Sequence, residues 1–209
     1  MFHKFLMVAA AAIAVGTGAS AATIVNGGFE SGSDGSDVFS VIGSGPLPGW
    51  TVASGNVEII SNNYWESAEG GYSLDLDGVL VGSIFQDVTG LNVGSVYRLG
   101  FAMSSNPNEG VVVHTLGVNA GPAYQTFTHT ATGSLQNMEW TYHSLDFTAM
   151  SSVERVMFTS ISGGTSAAGP ALDDVTLELI STPKVPVPAS ALLLVTAIGG
   201  IGAVRRRKS

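Results

Sequence analysis

Residues Val96–Met103 read VYRLGFAM and alternate large apolar side chains with small or charged ones. Because successive side chains of a β-strand point to opposite faces, this period predicts a strand with one buried face. The buried face would carry Tyr97, Leu99, Phe101 and Met103. The later stretch Leu172–Leu179 has the same period and predicts a second such strand, whose inward face would carry Asp173, Val175, Leu177 and Leu179.

Short segments of similar character occur along most of the chain, and residues that favour turns separate them. No segment between residues 23 and 180 keeps apolar residues at a helical spacing over three turns. About nine or ten strands over roughly 160 residues predict an all-β fold, a single β-sandwich of the jelly-roll type. The further strand candidates are Val57–Ile60, Ser73–Leu76, Ser83–Val88, Val111–Val118, Gln125–His129, Thr141–Thr148 and Arg155–Ser160.

The two ends of the chain differ from this central part. Residues 1–22 combine Lys4, an apolar run and the small residues 19–22, which is the order of a secretory signal peptide cut by signal peptidase. The chain is therefore expected to be exported. The predicted organisation is a signal peptide (1–22), a β-sandwich passenger domain (23–180), a proline-rich linker with a sorting motif (181–188), a transmembrane helix (189–204) and a basic cytoplasmic tail (205–209).

The C-terminal apolar segment is short for a membrane span. A hydrocarbon core of roughly 30 Å needs about 20 helical residues, so the charge-free run 189–204 spans it only together with the residues from Val185 onward. Four basic residues follow and would stay on the cytoplasmic side; they are Arg205, Arg206, Arg207 and Lys208. Two interpretations are open, an ordinary single-pass anchor and a sorting signal.

The tail contains three unlike parts in order: a proline-containing motif, a short apolar helix and a terminal arginine cluster. The motif consists of Val185, Pro186, Val187, Pro188 and Ala189. This order resembles the VPLPA-CTERM signal, a relative of the PEP-CTERM signals of Gram-negative bacteria, and only Val187 departs from it, standing where the family has Leu. The resemblance implies an exosortase-type processing enzyme as partner. It also implies export through the inner membrane to the cell surface or beyond, with a C-terminal membrane anchor before processing.

Charge is distributed unevenly along the chain. All sixteen acidic residues lie between Glu30 and Glu178, where Arg98 and Arg155 are the only basic residues, so this part carries a net charge of −14. Nucleic acid is excluded as a partner, because it requires a basic face. The chain has no cysteine, so its fold cannot use disulfide bonds. An acidic exported domain suits calcium, whose ligands are carboxylate and carbonyl oxygens.

A series of short motifs runs through the central part of the chain. They include Asn26–Glu30 (NGGFE), Leu47–Val52 (LPGWTV), Gly55–Ile60 (GNVEII), Gly71–Gly78 (GYSLDLDG), Ile84–Val88 (IFQDV) and Gly169–Val175 (GPALDDV). The series resembles the choice-of-anchor C family, whose members share a passenger domain and differ in their sorting signal. That family is similar to galactose-binding-like jelly rolls, including plant cell-wall proteins of unassigned function. The resemblance covers residues 26–175 and implies a fold and a surface location, but no activity.

Glu30 and Asp173 are the candidate metal-ligating residues. In galactose-binding-like domains with similar motifs, these two positions help to bind calcium, so the resemblance implies one structural Ca²⁺. The residues themselves support a cation as the partner of Asp173, because an unpaired charge that points inward is costly and the passenger domain has only two basic residues, Arg98 and Arg155. The alternative interpretation, that Asp173 accepts backbone N–H bonds or lies at a wet sheet edge, stays open.

Aromatic side chains are the candidate sugar-binding residues, because a ring offers a flat apolar surface with a polar edge. Tyr64 and Trp65 lie in a stretch rich in Asn, Ser and Glu and are the predicted ligand-binding residues. Trp50, beside a Pro-Gly turn, is predicted to lie in the core. The other aromatic residues that could stack on sugars are Tyr124, Trp140 and Tyr142.

The sequence contains no recognised catalytic arrangement. Asp75 and Asp77 are two residues apart and would share a strand face, and paired carboxylates can act on glycosides. The Asp-Gly pair that ends this stretch is also a turn signal, so a structural role is predicted. His114, His129 and His143 lack the spacing of metal ligands, and nucleophile-elbow, zinc-protease and phosphate-loop motifs are missing. The sequence therefore predicts a protein that is not an enzyme.

Two functions are consistent with these observations. The first is an exported structural or adhesive protein that an exosortase-type signal directs to the cell surface or matrix. The alternative is a carbohydrate-binding module that recognises extracellular or cell-wall polysaccharide and contains a structural calcium.

Overall fold

The computed structural model describes residues 21–161 and 167–183 of the chain. The signal peptide up to residue 20, the sorting motif Val185–Ala189, the predicted transmembrane helix and the basic tail lie outside these ranges. Within them, no helix has the length and apolar character needed to cross a membrane.

The described residues form twelve strands and one short 3-10 helix, Pro107–Glu109. The strands are β1 (Phe39–Ile42), β2 (Gly45–Leu47), β3 (Trp50–Ser54), β4 (Val57–Ser61), β5 (Tyr72–Asp75), β6 (Ser83–Thr89), β7 (Val96–Ser105), β8 (Val113–Ala120), β9 (Ala123–Thr130), β10 (Thr141–Thr148), β11 (Val153–Ser160) and β12 (Pro170–Ser181).

The strands form two six-stranded sheets. Sheet A has the order β1-β4-β5-β12-β7-β10, and sheet B has the order β2-β3-β6-β11-β8-β9. All neighbouring strands are antiparallel. The prediction of an all-β fold with two packed sheets is confirmed. The three short strands β1, β2 and β3 were not predicted. Strand β2 contains Pro46, which an edge strand tolerates because one side of its backbone needs no hydrogen-bond partner.

The core lies between the two sheets and is built from the alternating residues of both. The predicted inward face of β7 is confirmed, since Tyr97, Leu99, Phe101 and Met103 are all buried. Phe101 packs edge-on against Phe158 of β11, with ring centroids 5.3 Å apart, and so joins the two sheets. Trp50 is buried as predicted, and its Nε1 donates to the Asn26 carbonyl oxygen at 3.0 Å.

Strand β12 contains a β-bulge that changes the predicted direction of Asp173. Asp173 pairs with Ala102 of β7, whereas Thr176 pairs with Gly100, so three steps along β12 oppose two along β7. The extra residue is accommodated at Asp174, whose φ is +46°. Leu172 and Val175 therefore both lie in the core, and Asp173 points to the opposite face of sheet A. The prediction that Asp173 shares a face with Val175 is wrong, because the bulge reverses the alternation between them.

A second, smaller apolar cluster lies on the outer face of sheet A, the face that points away from sheet B. Residues 62–71 between β4 and β5 and residues 131–140 between β9 and β10 fold over this face. The buried members of the cluster are Ile60, Trp65, Met138 and Ala171. Among the described residues, the outer face of sheet B has no such covering cluster. The two outer faces therefore differ, one partly covered by loops and the other open.

Candidate functional site

The side chain of Asp173 is fully buried beneath the loop of residues 62–71. Its Oδ2 accepts the backbone N–H groups of Ala68 at 2.8 Å and Glu69 at 3.1 Å, and its Oδ1 accepts that of Asp174 at 2.7 Å. Burial raises the pKa of Asp173 to about 7, although these three N–H donors oppose the rise. Asp173 therefore holds the loop through backbone hydrogen bonds, one of the alternatives left open by the sequence.

Glu30 holds the other end of the same loop. Its Oε1 accepts the backbone N–H groups of Gly71 at 2.8 Å and Tyr72 at 3.0 Å. The two predicted metal ligands thus contact neighbouring segments of one loop, but three of their four carboxylate oxygens already accept backbone hydrogen bonds. No group of three His, Cys, Asp or Glu side chains within the described ranges could hold a metal ion. Glu30 and Asp173 alone do not form a calcium donor set, and the calcium site stays a prediction.

Tyr64 and Trp65, the predicted ligand-binding residues, have different surroundings. Trp65 is only 1% exposed, and its Nε1 donates to the Ser73 hydroxyl at 2.6 Å. Its ring lies inside the cluster over sheet A and has no free face for a sugar. Tyr64 is partly buried, packs edge-on against Phe39 at 6.1 Å, and accepts a hydrogen bond from Asn108 at 3.0 Å. Only Tyr64 could contact a ligand in this arrangement.

Asp75 and Asp77 use their carboxylates to hold turns and loops. Asp75 is fully buried, where it accepts from the Asp77 backbone at 2.9 Å and from the Asn106 amide at 2.8 Å. Asp77 lies beyond the end of β5 and accepts from the Ser160 hydroxyl at 2.9 Å and the Gly82 backbone at 3.4 Å. Burial raises the pKa of Asp75 well above its ordinary value and that of Asp77 to about 6. These contacts fit the structural role predicted for the pair.

A continuous row of side chains crosses the outer face of sheet B. Each member is the direct cross-strand partner of the next, from β9 through β8, β11, β6 and β3 to β2. The residues next to them in sequence, such as Val118, Phe158 and Ile84, belong to the core, so the row itself points outward. The row consists of Tyr124, Asn119, Met157, Phe85, Thr51 and Pro46, and is called the sheet B row below.

The sheet B row combines apolar area with polar neighbours. Tyr124 is 57% exposed at one end, and Thr51 and Pro46 are exposed at the other. The guanidinium group of Arg155 lies 3.7 Å from the centre of the Phe85 ring and forms a two-pronged ion pair with Asp87, with N–O distances of 2.7 and 2.8 Å. Cation–π contact and ion pair together fix the orientation of the Phe85 ring.

A second row of small and hydroxyl-bearing residues runs beside the first one. It consists of Thr126, Gly117, Thr159 and Ser83, again in direct cross-strand register. The larger side chains of the sheet B row therefore lie beside a lower strip in which Thr126 and Thr159 carry accessible hydroxyl groups, whereas the Ser83 hydroxyl is buried and hydrogen-bonded to Ser54 at 2.7 Å. The arrangement can present apolar and hydrogen-bonding surface together to a long, flat ligand.

Sequence reasoning named Tyr124 among the aromatic residues but did not identify Asn119, Met157 or Phe85. Together with Tyr124 they lie on four strands, β6, β8, β9 and β11, and only the strand order and register bring them into line. The sequence carried only a weak signal for these residues. Phe85 and Met157 occupy outward alternating positions of predicted strands, and Asn119 directly follows a predicted strand.

The fold defines this chain as a two-sheet β-sandwich domain. Residues 22–178 match the model of a family described as "Protein of unknown function (DUF642)", and the chain belongs to this family. It is also similar to halomucin of Haloquadratum walsbyi, with 34% identity over 166 residues. That match covers 77% of this chain but only 2% of halomucin, so the chain spans a very small part of this curated relative.

Several solved carbohydrate-binding modules are similar in overall fold. "Family 16 Carbohydrate Binding Module-2" is 21% identical, with a TM-score of 0.44, and the match covers 74% of this chain and 98% of that one. TmCBM61 in complex with β-1,4-galactotriose is also 21% identical, with a TM-score of 0.46 and coverage of 74% and 95%. The CBM22-1 xylan-binding domain of Paenibacillus barcinonensis Xyn10C is 14% identical, with a TM-score of 0.44 and coverage of 70% and 95%. Likeness at this level does not extend to function.

Proposed function

We propose that this chain is a non-catalytic carbohydrate-binding protein whose binding surface is the outer face of sheet B. The sheet B row, an ordered line of apolar and amide side chains on an open face, is the observation that supports the proposal. This proposal keeps the carbohydrate-binding alternative of the sequence analysis and moves its site away from Tyr64 and Trp65.

The chemistry of the row suits sugars. The C–H face of a pyranose ring packs on a flat exposed side chain such as Tyr124, while its hydroxyl groups pair with amide and hydroxyl groups at the edges. One face of the Phe85 ring is covered by the Arg155 guanidinium group, so Phe85 adds apolar edge to the row rather than a second stacking surface. Asn119 lies between Tyr124 and Met157, and Thr126 and Thr159 lie in the adjacent row. Each sugar on the row would thus meet both kinds of surface.

The similar solved structures indicate which ligands to test first. Two of them are described as binding β-1,4-galactotriose and xylan. These names do not establish the ligand of this chain, but β-linked galactan and xylan are reasonable first members of a screening panel.

Export and sorting are part of the proposal and rest on the sequence alone. The signal peptide and the motif Val185–Ala189 would take the protein through the inner membrane to an exosortase-type enzyme and then to the cell surface or matrix. Deletion of residues 185–209 should change where the protein accumulates without unfolding it. An unchanged location would contradict the sorting signal and leave carbohydrate binding untouched.

Binding is tested by replacing Tyr124. The purified protein should migrate more slowly in gels that contain a bound polysaccharide, and Tyr124→Ala should lose about tenfold in affinity, since a stacked ring contributes on the order of 1 kcal/mol beyond its buried area.

Tyr142→Ala is the matched control. Tyr142 is 63% exposed and also lies on an edge strand, but it belongs to the outer face of sheet A. Retained binding in this variant, together with loss in Tyr124→Ala, supports the proposed face. Equal loss in both variants, or no binding of any glycan by the parent protein, contradicts it and favours a structural or adhesive protein without a glycan ligand.

A further inference from the structure

The charge on the outer face of sheet B differs from that of the domain. Of the outward positions on its six strands, only Asp87 and Arg155 are charged, and they form the two-pronged ion pair with each other. The net charge of this face is therefore zero, whereas residues 30–178 carry −14. The excess formal negative charge lies elsewhere in the domain, on other surfaces and on the buried carboxyl groups of Asp75, Asp77 and Asp173.

The described residues offer no free cationic side chain for an anionic ligand. They contain two arginines, Arg98 and Arg155, and both are engaged in two-pronged ion pairs at 2.7 and 2.8 Å, with Asp146 and Asp87 respectively. Carboxylate or sulfate groups on a polymer need such guanidinium or ammonium donors. An acidic polymer would also be repelled by the surrounding charge over a screening length of about 8 Å at physiological salt.

The geometry of the row indicates how a chain would lie. From Tyr124 on β9 to Pro46 on β2 the row crosses five strand spacings, which is about 24 Å at 4.7–4.9 Å per spacing. Both of its ends are exposed, and the loops that cover sheet A fold over the opposite side of the domain. A bound polymer can therefore extend beyond the row in both directions.

We infer that the ligand is an uncharged polysaccharide, bound along its interior across the strands of sheet B. This inference rests on the proposed function and specifies its ligand class. Three observations support it: the neutral open face, the absence of an unpaired arginine among the described residues, and a row whose two ends are not closed.

The experiment compares polymers of different charge with the full chain. Neutral galactan and xylan should bind, with an affinity that changes little between low and high salt. Polygalacturonate and sulfated polymers should not bind. Affinity for neutral oligosaccharides should rise with length until the row is covered, and a monosaccharide should compete at least a hundredfold more weakly than the longest oligomer.

A charge-changing variant tests the same idea in the opposite direction. Thr128 is exposed on the outer face of β9, four residues along the strand from Tyr124, so Thr128→Lys should bring a salt-sensitive gain of binding to polygalacturonate. The matched control is Thr148→Lys, at an exposed position of β10 in sheet A, which should bring no gain. A gain in the control as large as in Thr128→Lys would show that net charge alone decides, which contradicts a specific neutral face.

The outcomes separate the two proposals. Binding of neutral polymers that Tyr124→Ala weakens supports both. A different result is that the parent protein binds acidic polymers in a salt-sensitive way that Tyr124→Ala weakens. That result overturns the inference of an uncharged ligand but still supports the outer face of sheet B as the carbohydrate-binding face. Preference for chain ends, seen as equal affinity for a monosaccharide and a long oligomer, overturns interior binding. Failure to bind every polymer overturns the proposed function itself.

Discussion

The Tyr124 hydroxyl lies 3.2 Å from the point that a Cβ atom would occupy on Gly117, the neighbouring strand's glycine. The terminal methyl group of Ile161 lies 2.8 Å from the same point. The missing side chain of Gly117 therefore gives the Tyr124 ring room to lie over β8. The backbone of Gly117 needs no left-handed conformation, so its role here is close approach alone.

Gly117→Ala is expected to weaken glycan binding about three- to tenfold, because the new methyl group displaces the Tyr124 ring from the row. The melting temperature should change by only a few degrees, since Ile161 and Tyr124 are exposed and can move. Affinity gels and thermal unfolding measure the two effects.

Gly100→Ala provides the comparison. Gly100 occupies an outward position of β7 in sheet A, where a Cβ atom would lie 2.7 Å from the Thr176 hydroxyl oxygen. This variant also inserts a methyl group beside an exposed side chain, but on the other sheet, and should keep full affinity. If both glycine variants bind glycan as well as the parent protein, Tyr124 is not held by Gly117.

The roles of Trp65 and Tyr64 can be separated by one substitution at each position. Trp65→Phe removes the Nε1 donor and leaves the buried Ser73 hydroxyl without it, so the free energy of unfolding should fall by about 1–3 kcal/mol. Glycan affinity of this variant should stay unchanged, because the ring has no exposed face. Urea unfolding and affinity gels give the two values.

Tyr64→Ala completes the test of the ligand site that the sequence predicted. Tyr64 packs against Phe39 and Trp65 on the side of the sandwich opposite the sheet B row, so its replacement should destabilise the protein moderately and leave glycan affinity intact. A folded Tyr64→Ala protein with strongly reduced affinity would return the site to this loop.

The parts of the fold that follow from local sequence patterns were predictable. The alternation in β7 gave both the strand and its buried face, and the turn residues gave the two-sheet class. The bulge at Asp174 was not predictable, because it depends on how β12 pairs with β7 rather than on the alternation of β12 itself. The burial of Trp65 depends similarly on a polar loop that folds back over sheet A, which composition does not reveal.

Buried carboxylates should make the domain more stable at slightly acidic pH. Burial raises the folded-state pKa of Asp173 to about 7, above an unfolded value near 3.8. Its contribution to stability is therefore fully present below about pH 4 and is lost as pH rises through about 7. The free energy of unfolding of the parent protein minus that of Asp173→Asn, both measured in urea, should therefore be more positive at about pH 6.5 than at about pH 8.

Other buried titratable groups also contribute to the pH dependence and must be separated from Asp173. Burial lowers the pKa of His114 and His143, so these histidines oppose the trend below and somewhat above about pH 6.5, their unfolded value, where each is still half protonated in the unfolded chain. The comparison with Asp173→Asn cancels their contribution, because both proteins contain the two histidines. Asp173→Asn should reduce the slope between about pH 6.5 and 8, whereas Asp77→Asn should act mainly at lower pH, since the pKa of Asp77 is raised to about 6. If Asp173→Asn leaves the slope of the free energy of unfolding against pH unchanged, the pH dependence arises from other groups and not from Asp173.

Calcium dependence is the remaining prediction of the sequence, and the structure adds a competing expectation. Calcium that binds only the native state at about 100-fold above its dissociation constant would stabilise it by about 2.7 kcal/mol. Such a shift relative to a chelator, lost in both Glu30→Gln and Asp173→Ala, would confirm the predicted site. The hydrogen bonds of the structure lead to a different expectation for Asp173→Ala.

Asp173→Ala removes the acceptor of three backbone N–H groups beneath the loop that covers sheet A. Its loss should lower the free energy of unfolding by about 2–4 kcal/mol, because buried N–H groups are left unpaired. If Asp173 acts only through these bonds, the loss is the same with calcium and with chelator, and Glu30→Gln, which can still accept the Gly71 and Tyr72 N–H bonds, costs much less. Thermal unfolding of the three proteins under both conditions therefore distinguishes a loop held by carboxylates alone from one that also binds calcium.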